Sequence, residues 1–164
     1  MNAKQDIELI RQQEKALVFQ RFDEQTAFDL GCAIRDEALK NGLGVYLEVA
    51  TWDRRLFAAA TPGSAGSNVN WARRKLNVVR MFGRATYAMV LEQQRDDRML
   101  APAQGLSVED YVLAGGGFPI RVANAGMVGG IAVSGLPERE DHKLIVAALC
   151  KHLGVEHRPL ALDL

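Results

Sequence analysis

Cysteine is scarce in this sequence. Cys32 and Cys150 are the two present among 164 residues, they form no CxxC pair, and two thiols are too few for a disulfide scaffold. Each sits in an apolar helical pattern and reads as a small buried hydrophobe. An excess of one charge is also missing: 20 basic side chains face 20 acidic ones. That balance removes the basic surplus on which a nucleic-acid or anionic-membrane partner depends. No apolar run approaches the roughly 18 residues of a membrane span. Residues 1–6 lead into charge without an apolar stretch, which reads as no signal peptide and a cytoplasmic location. Internal repeats, low-complexity tracts, the glycine motifs of nucleotide-binding loops and HExxH are absent as well. The three histidines, His142, His152 and His157, lack the three- or four-residue spacing that puts two ligands on one helical face, so no metal site is expected.

Hydrophobic residues make up 48% of the chain, and a chain of this size can bury roughly two-thirds of its unfolded surface in one core. The pattern along it predicts one domain over residues 1–164. A short amphipathic helix spans about Asp6 to Lys15, and Leu17-Val18-Phe19 can form a brief first strand. Asp23 caps a helix whose apolar face carries Ala27, Phe28, Gly31, Ile34 and Ala38, and Asn41-Gly42 stops it. The period then changes to two: Val45, Leu47 and Val49 alternate with Tyr46, Glu48 and Ala50, and a second alternating run over 55–60 follows Trp52-Asp53, making a hairpin. Residues 61–68 form a surface loop, and a long helix is expected from Asn70 to about Gln94. Ser107 can cap a helical turn. A second hairpin pairs Phe118, Ile120 and Val122 with 127–134, and Pro119 argues for an edge position or a bulge in its strand. The last helix opens at Pro137, carries Glu138, Glu140 and Asp141 in its first turn, and ends at Gly154. The fold class is therefore α+β, with a mainly antiparallel sheet built from two hairpins and helices packed on it.

Three features carry chemistry. On the long helix Arg73, Asn77, Arg80 and Arg84 fall at i, i+4, i+7 and i+11 as one basic stripe. Guanidinium forks suit carboxylates and phosphates. The stripe is equally consistent with a solvated face or with pairing across a subunit boundary. Gly115-Gly116-Gly117 enters the second hairpin, where bare backbone N–H groups can cradle an anion or serve a tight strand entry. Ser134-Gly135-Leu136-Pro137 ends a strand at a helix N-terminus, but the acids of that first turn already supply the negative charge a phosphate would bring.

Taken in order, Thr61-Pro62-Gly63, Asn70-Trp71-Ala72-Arg73-Arg74-Lys75 with Arg80 and Phe82-Gly83, Gly117-Phe118-Pro119-Ile120-Arg121, and Val133-Ser134-Gly135-Leu136-Pro137 with Asp141-His142 resemble the haem-degrading domain family, the HbpS/GlcG-like proteins. The likeness runs from the first helix to Leu153. It implies a profilin-like α-β-α layered fold, with a five-stranded sheet once the short N-terminal strand joins the two hairpins. It implies homo-oligomers assembled from dimers and, as cofactor or substrate, haem. It also implies that the motif residues gather into a pocket, giving Trp71, Arg73, Arg74, Gly117, Phe118, Arg121 and Ser134 as candidate ligand contacts. Three functions compete: an oligomer that binds a small anion through Arg73 and Arg121, an enzyme with His142 as general base, and an assembly protein whose Arg73 and Trp71 anchor a subunit interface.

Overall fold

The computed structural model describes residues 2–162, so Met1, Asp163 and Leu164 at the expected domain's two ends lie outside the described residues. Helices α1 (Ala3–Ala16) and α2 (Glu24–Lys40) are followed by strands β1 (Tyr46–Thr51) and β2 (Arg55–Ala60). Then come α3 (Ser67–Phe82), α4 (Thr86–Gln93), β3 (Gly117–Val122), β4 (Gly126–Ser134) and α5 (Glu138–Leu153). Local chemistry sets many of these boundaries. The Asp23 carboxylate accepts from the Thr26 N–H at 2.8 Å, satisfying one of the orphan donors at the start of α2. Gly154 ends α5 in the left-handed conformation at φ 67°.

The expected helix over 70–94 is two helices. Gly83 takes φ 65° and returns its N–H to Val79 at 2.7 Å, which closes α3. Helix α4 starts afresh at Thr86, and the Glu14 carboxylate of α1 accepts from the Ala85 N–H at its entrance. This carboxyl is raised above its ordinary range by burial, with the Ala85 bond pulling the other way.

The sheet has four strands in the order β2-β1-β4-β3, all antiparallel. The expected fifth strand is reduced to an isolated parallel bridge from Phe19 to Val122. Phe19 exchanges two hydrogen bonds with the β3 edge, to Arg121 and Ala123, and the chain then turns away to the Asp23 cap. Pro119 lies in β3, at the sheet edge where its missing N–H costs least.

Alternation along the strands separates two faces. Leu47, Val49, Phe118, Ile120, Ile131 and Val133 are fully buried in the main core beneath α2 and α5. Burying each such side chain contributes about 1.5–3 kcal/mol. The opposite face, packed on α3, carries the small residues Ala50, Ala132, Gly117 and Gly130 beside Tyr46 and Glu48. A Cβ on Gly130 would sit 3.0 Å from Leu76, and one on Gly117 2.9 Å from Val79. The helix therefore lies close to the sheet, and its polar side chains reach the strand ends.

Candidate functional site

Two of the clefts that border α3 hold candidate residues. The first, of about 580 Å³, lies between α3 and the β1–β2 hairpin. Asn70, Arg73, Asn77 and Arg80 line its helical wall, and Thr51, Trp52, Arg54 and Arg55 line the hairpin wall. The basic stripe read from helical spacing thus faces a cavity as far as Arg80. Arg84 leaves it, because the break at Gly83 turns that side chain to a bidentate pair with Glu92 at 2.9 and 2.6 Å.

The cations of this cleft differ in how fully they are employed. Arg73 donates to Asp110 at 2.9 Å, to the Glu109 carbonyl at 2.7 Å and to Asn70. Arg74 donates to the Val108 carbonyl and stacks on Trp71 at 4.4 Å, and Asn77 donates to the Asp110 carbonyl. These contacts fasten the turn at Ser107, whose carbonyl accepts from Asp110 and Tyr111. Arg55 lies 3.1 Å from the Glu48 carboxylate, which also accepts from the Tyr46 hydroxyl at 2.9 Å. Burial and that carboxylate push the Tyr46 phenol up to about 12. Arg54 pairs with Asp53 and Glu24. Among the described residues, Arg80 is the cation of this cleft with no carboxylate partner; it is exposed and lies 5.9 Å from the Trp52 ring centroid.

The second cleft, of about 240 Å³, opens between the start of α3 and the β4–α5 turn. Trp71, Asn68, Ser134, Leu136, Arg98 and Glu138 line it, together with Lys75 and Asp141. Lys75 Nζ donates to the Val133 carbonyl at 2.8 Å and to Asp141 Oδ2 at 3.0 Å, and both side chains are almost wholly buried. The other Asp141 oxygen accepts from the Leu136 N–H at 3.0 Å. Burial drives the two groups toward neutrality from opposite sides. The lysine falls below its ordinary range despite Asp141, and the aspartate rises to about 6 despite Lys75. Sequence reasoning did not single out Lys75 as a site residue. The available signal was its position: Ala72, Val78 and Val79, at i−3, i+3 and i+4 from it, are all buried, so the ammonium stands in the apolar stripe of an amphipathic helix.

The candidate contacts do not converge on one pocket. Arg73 lines the first cleft, Trp71 and Ser134 line the second, and Arg74 lies behind Trp71. Arg121 donates to the Gly83 carbonyl at the far end of α3, about 15 Å along the helix from Arg73 at 1.5 Å per residue. Phe118 is buried in the core. In the glycine strand the Gly115 N–H donates to Glu138 and the Gly117 N–H to Thr86. His142 lies in the core between Tyr87 and Phe118, with Nε2 2.7 Å from the Gln13 carboxamide, and it lines none of the cavities described. Burial pushes its imidazole down to about 3, too weak a base to collect a proton near neutral pH. No group of three or more His, Cys, Asp and Glu side chains among the described residues is placed to hold a metal ion. Among the described residues no helix is long and apolar enough to cross a membrane.

A four-stranded antiparallel sheet between helical layers, with clefts where one helix meets the strand ends, defines an α-β-α layered protein. The chain belongs to the family described as Haem degrading protein HbpS-like, which matches residues 22–150. It is 58% identical over 162 residues to a UPF0303 protein of Mesorhizobium japonicum, covering 99% of this chain and 97% of that one. A UPF0303 protein of Brucella anthropi is 56% identical over 98% of this chain and 95% of its own length. Among solved structures, the Ybr137w protein superposes with a TM-score of 0.82 at 25% identity, covering 92% of this chain and 89% of that one. HbpS superposes at 0.62 and 23%, covering 82% and 91%, and shares the fold.

Proposed function

We propose that this protein is a cytoplasmic small-ligand-binding member of the HbpS-like family, and that its ligand is an anion held in the cleft between α3 and the β1–β2 hairpin. One observation carries the reading: Arg80 stands in that cleft without a carboxylate partner among the described residues, beside the Trp52 ring. Asn77 and Arg73 precede it by one and two turns on the same face. A guanidinium fork binds two oxygens of a carboxylate or phosphate at once, and the indole gives an aromatic or apolar portion of the ligand a surface to cover. Glu48 in the cleft wall does not oppose this, because Arg55 and the Tyr46 hydroxyl already engage its oxygens.

The family description names haem. A protein-held haem iron takes a His, Cys, Met or Tyr ligand; neither of the two clefts described is lined by one, and Met81 and Tyr111 line an adjoining groove that shares Asn77 and Arg80 with the first. His152 and His157 line separate grooves on other faces. The arginines suit carboxylates such as the haem propionates, but these residues do not supply an axial ligand, and the binding reading does not run through the iron.

Thermal-shift and calorimetric titration with inorganic phosphate, a set of mono- and dicarboxylates, and haem tests the proposal. Stabilisation by at least one anion that is abolished in Arg80→Ala is the expected result. Equal shifts in wild type and Arg80→Ala would move the site elsewhere.

A second reading has its own observation. Strand β2 is an edge, with Ala58 and Ala60 exposed on it, and Phe28 beside it is 53% exposed while packing edge-on to Phe57 at 5.8 Å. An unpaired, weakly charged edge of this kind can pair with a second copy of the chain. Sedimentation velocity of wild type and Ala58→Lys decides it: a dimer-based assembly that dissociates in the variant supports self-association through β2.

A further inference from the structure

The 240 Å³ cleft on the other side of α3 carries chemistry that anion binding does not use. Its wall contains an amine and a carboxyl in contact, Lys75 Nζ and Asp141 Oδ2 at 3.0 Å, with the side chains 4% and 2% exposed. Taking each ion out of water costs several kcal/mol, and this buried pair also borders a cavity with Trp71, Ser134 and Leu136 around it.

Several details keep the amine in place. Gly116 takes φ 108°, and a Cβ there would lie 2.8 Å from Nζ and 2.9 Å from the Asp141 Cβ, so a side chain at this position would collide with the pair. Nζ has two acceptors, the Val133 carbonyl and Asp141, which leaves a third position on the nitrogen. Asp141 is itself fixed by the Leu136 N–H.

We propose that Lys75 is a nucleophilic amine that condenses with a small aldehyde or ketone entering the cleft past Trp71, with Asp141 moving the protons. The Nζ lone pair bonds to the carbonyl carbon as the C=O π pair moves onto oxygen. A proton lost from nitrogen passes through Asp141 to that oxygen and gives a carbinolamine. The Asp141 carboxyl then protonates the hydroxyl, which leaves as water while the nitrogen lone pair forms the C=N bond. The protonated imine remains beside the Asp141 carboxylate, and atoms and charge balance with no further reactant. Burial pushes the amine down and the carboxyl up to about 6, the directions that favour a nucleophile and a proton donor. The cleft is separate from the one lined by Arg80, so this inference stands or falls independently of anion binding.

Reductive trapping tests it on the intact protein. Folded wild type is treated at pH 7 with acetaldehyde and cyanoborohydride, and ethylated lysines are mapped by peptide mass spectrometry. Lys40 and Lys151, both exposed, are the internal references. Each yield is normalised to that in urea, where all lysines are equivalent. The expected result is labelling at Lys75 at least about fivefold above Lys40 and Lys151 in the folded state. Asp141→Asn, checked for native circular dichroism, is expected to lose most of that excess. Lys75 labelled more slowly than the exposed lysines until the chain unfolds would overturn the proposal and leave the pair as a structural ion pair. The deciding comparison is made within wild type, so an unstable variant does not block it.

Discussion

Lys75 on α3 and Asp141 on α5 meet at 3.0 Å beside the end of β4, joining helices that lie on opposite faces of the sheet. Through the Val133 carbonyl and the Leu136 N–H, the same two side chains also hold the strand end and the turn into α5.

Removing one partner leaves the other buried and uncompensated. Lys75→Met is expected to cost about 3–5 kcal/mol in urea unfolding. Lys75→Met combined with Asp141→Leu is expected to recover most of that loss, since replacing both charges by apolar groups is often near neutral. Additive losses in the double variant would show that the two side chains do not act as a pair.

His142 predicts an acid limb of stability. Its folded pKa, about 3, lies below the ordinary value of 6.5. Between those values the unfolded chain binds the proton and the native state does not, so unfolding takes up a proton and stability falls as pH decreases from 6.5 toward 3. Stability from this source is fully present above pH 6.5. In His142→Gln, measured by chemical denaturation at successive pH values, the slope across that window should drop by about one proton.

Gly116→Ala tests the close approach at the second cleft. The added Cβ would lie 2.4 Å from the Val133 carbonyl oxygen, and φ 108° is hostile to any L side chain. A loss of at least about 2 kcal/mol is expected. Gly126→Ala makes an informative comparison, because φ is again positive, at 85°, but a Cβ there meets nothing within 4 Å. It should cost only the conformational part, about 1 kcal/mol.

Two arginines that the heptad-like spacing treats alike should behave differently. Arg80→Ala removes the unpaired cation of the first cleft and is expected to weaken anion affinity at least about tenfold, the loss of one charge-assisted bond. Arg84→Ala breaks the pair with Glu92 instead and should leave anion affinity within twofold, roughly the scatter expected when no contact is touched. Isothermal titration of both variants at one ionic strength separates them.

Much of the architecture was legible in local chemistry. The Asp23 cap, the Gly154 stop, both hairpins, and Pro119 at an edge follow from side-chain period and from backbone donors that need partners. Gly83 was visible as well, yet helical periodicity continues through Met89, and only the left-handed turn there divides 67–82 from 86–93. The fifth strand failed for a different reason. Leu17 to Phe19 has the composition of a strand, but only Phe19 forms a bridge with β3, and the next helix cap at Asp23 follows within four residues.

The sequence by itself determined that this is an α+β chain with antiparallel hairpins, that it carries a basic stripe on its third helix, and which family it belongs to, because each of these is written in spacing or in contiguous motifs. Only the tertiary structure decided where the chemistry sits. Arg73 and Arg121, Trp71 and Phe118 were parted because helix length and sheet face, not nearness in a motif, set their distances. Lys75 and Asp141, 66 residues apart, were brought into contact because the small residues of one sheet face let α3 settle against the end of β4. A polar pair of that kind depends on the packing of two helices around a sheet, and no local pattern encodes it.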